Sequence, residues 1–241
     1  MKLTDLVYHI QLGKKHCSNT ILFLEGELSS KQYQAALQSS LNEAMFDLGA
    51  IKEKVLNALA TLVVKVQNVG ASLLSRAISA ISAIVSAVKR FSEKHPNIYR
   101  AILIFIVLMI ILVFFASTAK AAAGGDPTVT INKSSIDAAI GLLRKIKSED
   151  DMVTMKAISY LTNLRDGNVT DAAQLGKEAM DVANAAVNTI NKIASEQGTD
   201  PSVIKQIYAL AQQGQEVAGT IYNKVDSTET IKLILKEGFT A

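Results

Sequence analysis

An all-α fold is predicted by three features of this 241-residue sequence. Apolar residues recur at intervals of three and four through most of the chain, the spacing of one helical face. Between Val55 and Ile98 the pattern repeats every eleven residues, and eleven residues make three helical turns. From Ala101 to Thr118 there is no charged residue and no proline. The predicted architecture is a long hendecad amphipathic helix and one hydrophobic helix of transmembrane type, followed by a small C-terminal helical bundle. In residue numbers it divides into a short segment 1–28, the amphipathic helix 29–93, a basic break with the hydrophobic helix 94–123, a linker 124–134 and the bundle 135–241.

The first 28 residues contain a short helix capped near Thr4, a turn at Ser18 and Asn19, and a brief apolar run from Ile21 to Leu24. Ser29 or Ser30 then offers an N-cap for a helix that meets no proline until Pro96. Leu37, Leu41, Ala44, Leu48, Ile51 and Val55 form one stripe along it, and the helix is expected to reach about Glu93. In the repeating part, Asn57, Thr61, Lys65, Asn68, Ser72, Arg76, Ser79 and Ser86 fall in one narrow arc. Leu59, Leu62, Val66, Leu73, Ile81, Ile84 and Val88 make the opposite, apolar face. Only Lys65 and Arg76 are charged between Val55 and Val88, so this face requires cover. Either a membrane interface or the core of a helical assembly supplies it. The small residues Ser79, Ala80, Ser82 and Ala83 suit close helix approach in both settings.

The hydrophobic helix gives the strongest signal. Its spanning residues are Ala101, Ile102, Leu103, Ile104, Phe105, Ile106, Val107, Leu108, Met109, Ile110, Ile111, Leu112, Val113, Phe114, Phe115 and Ala116. Fourteen of these sixteen are Ile, Leu, Val, Phe or Met. At roughly −0.3 to −0.6 kcal/mol each, they favour a bilayer by about 4–8 kcal/mol. Nineteen residues separate Arg100 from Lys120, close to the ~30 Å hydrocarbon thickness at about 1.5 Å per residue. Tyr99 is an interfacial anchor, and Lys89, Arg90, Lys94 and Arg100 are the basic flank that sets orientation. That flank predicts a cytoplasmic N-terminal side and an external C-terminal half. The layout also matches a signal peptide with a cleavage site at Ala119-Lys120-Ala121, but a hundred residues precede it.

Beyond Gly124, Gly125, Asp126 and Pro127, TVTIN alternates like a short strand. Four or five helices are expected after it. Ser134 with Asp137 and Ser148 with Asp151 fit capping boxes, and Asp200 before Pro201 marks another helix start. Residues from Asp171 to Gly198 read as one Ala-rich amphipathic helix. Ser227 is placed to cap a last helix, IKLILKEG, closed by Gly238.

Composition bounds the function. Hydrophobic residues are 49%, charged residues 20% and aromatics 5%, with no Trp and three Pro. This excludes a disordered chain, and with a mean hydropathy of +0.24 it requires one region to account for the excess apolarity. A single cysteine, Cys17, excludes a disulfide framework and a cysteine-rich metal site. His9, His16 and Cys17 are adjacent polar residues rather than a ligand set. Glu149, Asp150 and Asp151 suit a helix start. Glu25 and Glu27 have no catalytic partner in the pattern, and no Walker loop, dinucleotide turn, GxSxG or HExxH occurs. The glycosylation tripeptides at Asn132 and Asn168 are short enough to arise by chance. A non-enzymatic protein without cofactor or metal is expected.

Net charge of +3 hides an uneven division: residues 1–123 carry 13 basic and 7 acidic residues, and residues 124–241 carry 12 and 15. Positive charge beside apolar surface suits a lipid bilayer. A nucleic-acid reader would carry a dense basic face with interleaved aromatics, and no such motif is present.

The Ala- and Ser-rich helices around 29–92 and 170–197, with the membrane-active segment 101–118, resemble the internal core or ejection proteins of short-tailed phages. The likeness is one of overall plan, without a shared motif. It implies a non-enzymatic structural protein, stored as a homo-oligomer in the virion among other structural proteins and later delivered to the host membrane. Two other readings fit the same residues. One is a cellular single-pass protein of the cytoplasmic membrane, with the helical bundle as an assembly or adaptor module. The other is an α-helical pore former, in which 55–88 and 101–116 make a hydrophobic hairpin around Pro96.

Overall fold

The structure is a computed structural model describing residues 74–89, 92, 95–123, 128–146, 152–167, 171–196, 201–224 and 232–236, with the single positions 32 and 35. The expectations for Leu59, Leu62, Val66 and Leu73, for Arg90 and Lys94, and for the caps at Ser148 and Ser227 lie outside these residues. Among the described residues the chain forms α1 (Leu74–Val88), α2 (Pro96–Ala123), β1 (Thr128–Asn132), α3 (Lys133–Ile146), α4 (Met152–Arg165), α5 (Ala172–Ala194), α6 (Pro201–Lys224) and β2 (Lys232–Lys236). The fold class is all-α, as predicted.

Local chemistry explains the boundaries. α1 stops at Val88, before the expected end near Glu93, because Ser92 takes over the Lys89 carbonyl: its N–H donates at 3.2 Å and its hydroxyl at 2.8 Å. Pro96 opens α2, where a missing N–H costs nothing, and the Tyr99 N–H donates to the His95 carbonyl at 2.9 Å. α3 begins at Lys133, and its cap is Asn132 rather than Ser134. The Asn132 side-chain oxygen accepts from the Ser134 N–H at 3.0 Å and from the Ser134 hydroxyl at 2.7 Å. Asp137, expected to complete a capping box, faces Arg165 at 3.5 Å instead and ties α3 to α4. Asp171 caps α5 by accepting from the Ala173 N–H at 2.9 Å, and α6 opens on Pro201 as expected.

Two expectations are corrected. Lys232–Lys236 is a strand, not part of a last helix. Five residues are too few to repay helix nucleation, whereas pairing with β1 satisfies the backbone at once. The two strands run parallel, in register from Thr128 opposite Lys232 to Asn132 opposite Lys236. β1 lies within the span 124–134, where the alternation of TVTIN predicts a strand. The second correction concerns the hydrophobic helix. It is not a segment attached beside a separate bundle but the bundle's central member. α5 and α6 pack along α2 most extensively, and α1, α4, α3 and β1 also reach it. One continuous hydrophobic core runs from Leu74 through α2 to Ala218.

Candidate functional site

A helix that is apolar all round has two stable settings, the middle of a protein or the middle of a bilayer. α2 is in the first. Every residue from Ala101 to Ala116 is at most 4% exposed. From the sequence, lipid or other subunits are the expected cover; in the structure the chain's own helices provide it. α2 is also the described helix long and apolar enough to cross a membrane, over Pro96–Ala119.

The cover is made tight by small residues. α5 turns Ala172, Gly176, Ala179, Ala183 and Ala186 inward, and α6 turns Ala211 and Ala218 inward. At Gly214 a Cβ would stand 3.1 Å from Leu108 Cδ2 and 3.2 Å from Leu112 Cδ1. At Gly176 a Cβ would collide with the ring of Tyr222 and reach Phe115 at 3.4 Å. Glycine lets both helices lie against the bulky Leu and Phe side chains of α2. In α1, the apolar-face residues Ile81, Ile84 and Val88 are buried while Ser86 is exposed, so the described part of the hendecad pattern serves the core. α1 packs against α2, whose start is Pro96.

The two ends of α2 differ. At its start, Arg100 Nη1 donates to Glu196 Oε2 at 2.9 Å, across 96 residues of sequence, and fixes α2 to the segment just past α5. Both side chains are about one-third exposed or less, at 27% and 32%. Tyr99 is half-buried against the core, and Lys89 is exposed at the end of α1. At the other end, Ser117 and Thr118 are buried against α4 and its Tyr160. The Thr118 hydroxyl donates to the carbonyls of Phe114 at 3.1 Å and Phe115 at 2.9 Å. The Ser117 and Tyr160 hydroxyls are buried with no hydrogen-bond partner among the described residues. Burial pushes the Tyr160 phenol far above its ordinary value of 10.0, partly opposed by the adjacent Thr118 hydroxyl. α2 runs unbroken through Ala119-Lys120-Ala121, with Ala119 buried, so the cleavage-like tripeptide is helical.

The basic flank is thus only partly brought together: Arg100 is in an ion pair and Lys89 is at the surface. Glu196, Tyr160, Ser117, Thr118, Gly176 and Gly214 escaped the sequence reading. Ser117 and Thr118 carried a signal, two hydroxyls at the end of an otherwise apolar run. Among the described residues no three His, Cys, Asp or Glu side chains gather as a metal site would require. Comparison with protein-family models, with curated proteins and with solved structures finds no match.

Proposed function

We propose that this chain is a non-enzymatic membrane-interacting protein whose helical bundle stores a bilayer-length helix until lipid replaces the bundle as its cover. The observation that carries the reading is the bilayer-length apolar run of α2 without a charge, which helices of the same chain enclose. Moving fourteen large apolar side chains into water would cost roughly 1.5–3 kcal/mol each, tens of kcal/mol in all. Moving them into hydrocarbon exchanges one apolar surrounding for another. Only that second route is open to α2 without unfolding into solvent.

Self-enclosure shifts weight among the three readings of the sequence. An oligomer is not needed to hide Ala101–Ala116, and the α1–α2 hairpin around Pro96 has the form of an inserting unit. The favoured version is therefore a stored, membrane-inserting hairpin of the kind a pore former uses. Delivery from a virion, as the likeness to phage ejection proteins implies, is one setting for it, with the host membrane as destination. A permanent single-pass anchor is the second reading, favoured by the charge-free length of α2. In that setting the basic flank would face the cytoplasm.

The test is flotation of the purified, detergent-free chain with phospholipid vesicles, together with dye release. A water-soluble protein that floats with vesicles and releases dye supports the stored hairpin. Floating without dye release supports attachment alone. A soluble chain that stays at the bottom of the gradient on every lipid composition overturns the reading.

A further inference from the structure

We infer that the Arg100–Glu196 ion pair is a latch on α2, and that the phosphate of an anionic phospholipid opens it by taking the Arg100 guanidinium. This rests on the proposed storage of α2 for lipid. Arg100 and Lys120 are the charged residues of α2, and no residue between them carries a charge. Arg100 is joined at 2.9 Å to the carboxylate of Glu196, two residues beyond the end of α5. α5 is one of the two helices most extensively packed on α2, so the pair holds the stored helix to its principal cover.

For α2 to leave, this contact must break, and an anion that takes the place of the Glu196 carboxylate favours the break. A phosphodiester meets that need: guanidinium presents a planar fork of N–H donors that matches phosphate oxygens as well as carboxylate oxygens. The pair is partly exposed, so a headgroup can approach it without prior unfolding. Lys89, exposed at the end of the neighbouring helix, adds attraction for an anionic surface. Glu196 is a positioning residue here, acting on α2 through Arg100.

The chain has no tryptophan, so Tyr99→Trp places a single fluorophore beside Arg100, at the start of α2. Vesicles of phosphatidylcholine alone, or with phosphatidylglycerol, carry bromine on the acyl chains and quench that fluorophore once α2 enters. Flotation reports binding separately. In this background, quenching requires phosphatidylglycerol, and Glu196→Gln quenches about fivefold faster on the same vesicles, roughly 1 kcal/mol by the usual conversion of 1.4 kcal/mol per tenfold. The double reversal Arg100→Glu with Glu196→Arg keeps the intramolecular pair but removes the cation from α2. It folds with an unchanged melting temperature and loses the dependence on phosphatidylglycerol. Equal quenching rates for the parent and Glu196→Gln would overturn the latch. An unchanged lipid dependence in the reversed pair would show that the headgroup does not act on Arg100. If the parent fails to float on either vesicle, the storage reading falls, and the latch falls with it.

Discussion

The two ends of α2 are held by opposite means. At Arg100 a partly exposed charge finds its counter-charge on Glu196. At Ser117 and Tyr160, two hydroxyls are buried without a well-formed hydrogen bond among the described residues, Thr118 being the polar neighbour of Tyr160. A half-exposed ion pair adds at most about 1 kcal/mol. An unsatisfied buried hydroxyl removes about 1–3 kcal/mol. The apolar middle of the helix supplies the adhesion, the first end fixes position, and the second end works against storage. A bundle designed only for stability would fill that second end with carbon.

The contrast can be broken at four points, in order of expected effect. Ile110→Arg places an unpaired charge where exposure is zero, halfway between the ends. The folded state should be lost, a cost above about 4 kcal/mol, seen as collapse of the cooperative thermal transition in circular dichroism. Gly214→Leu drives a side chain into Leu108 and Leu112, whose methyls already stand 3.1 and 3.2 Å from a Cβ at that position. Overpacking of this kind costs about 1–3 kcal/mol, and the melting temperature should fall by roughly 2–12 °C for a chain of this size.

Tyr160→Phe should move stability the other way. It keeps the ring and deletes the orphaned hydroxyl, so the melting temperature should rise by roughly 2–4 °C per kcal/mol gained, about 1 kcal/mol in all. A pH titration sharpens the point. The phenol is held above its ordinary 10.0 by burial, so the folded state resists ionisation that the unfolded chain permits. Its contribution is whole below about pH 10 and declines as pH rises beyond the unfolded value. Tyr160→Phe should therefore widen its advantage over the parent above pH 10, measured by denaturant unfolding at each pH. Arg100→Gln has the smallest effect, a loss of at most about 1 kcal/mol that shrinks further at high salt. A loss at Tyr160 and a gain at Arg100 would reverse the comparison.

Sequence patterns reveal those parts of this fold that depend on near neighbours. Charge-free length exposes α2, the Asp200-Pro201 step marks α6, and the alternation of TVTIN announces β1. The apolar arc through Ile81, Ile84 and Val88 is legible because three turns of helix bring those residues together by themselves. What covers α2 is not legible, because any apolar partner satisfies the same pattern. Lipid, another copy and α5 look alike from the side of Ile110. Nor does Arg100 disclose Glu196, which lies 96 residues away on an element whose orientation only the finished packing decides. KLILK misleads for a related reason: its hydrophobic core of three residues suits a helical turn or a strand, and a remote partner settles the choice. The same holds for Gly176 and Gly214, where small size matters only because Tyr222, Leu108 and Leu112 arrive opposite.

The parallel pairing of β1 with β2 has a temporal meaning. β2 lies at residues 232–236 and α6 ends at Lys224, so α6 and the strand that pairs with β1 are both made after α2. At about 5–20 residues per second, the ribosome needs roughly 5–20 s to extend the chain from the end of α2 to β2. During that interval the greasiest part of the molecule is already synthesised and has no lid. Whatever meets the nascent polypeptide then meets α2 before α5 and α6 exist to cover it.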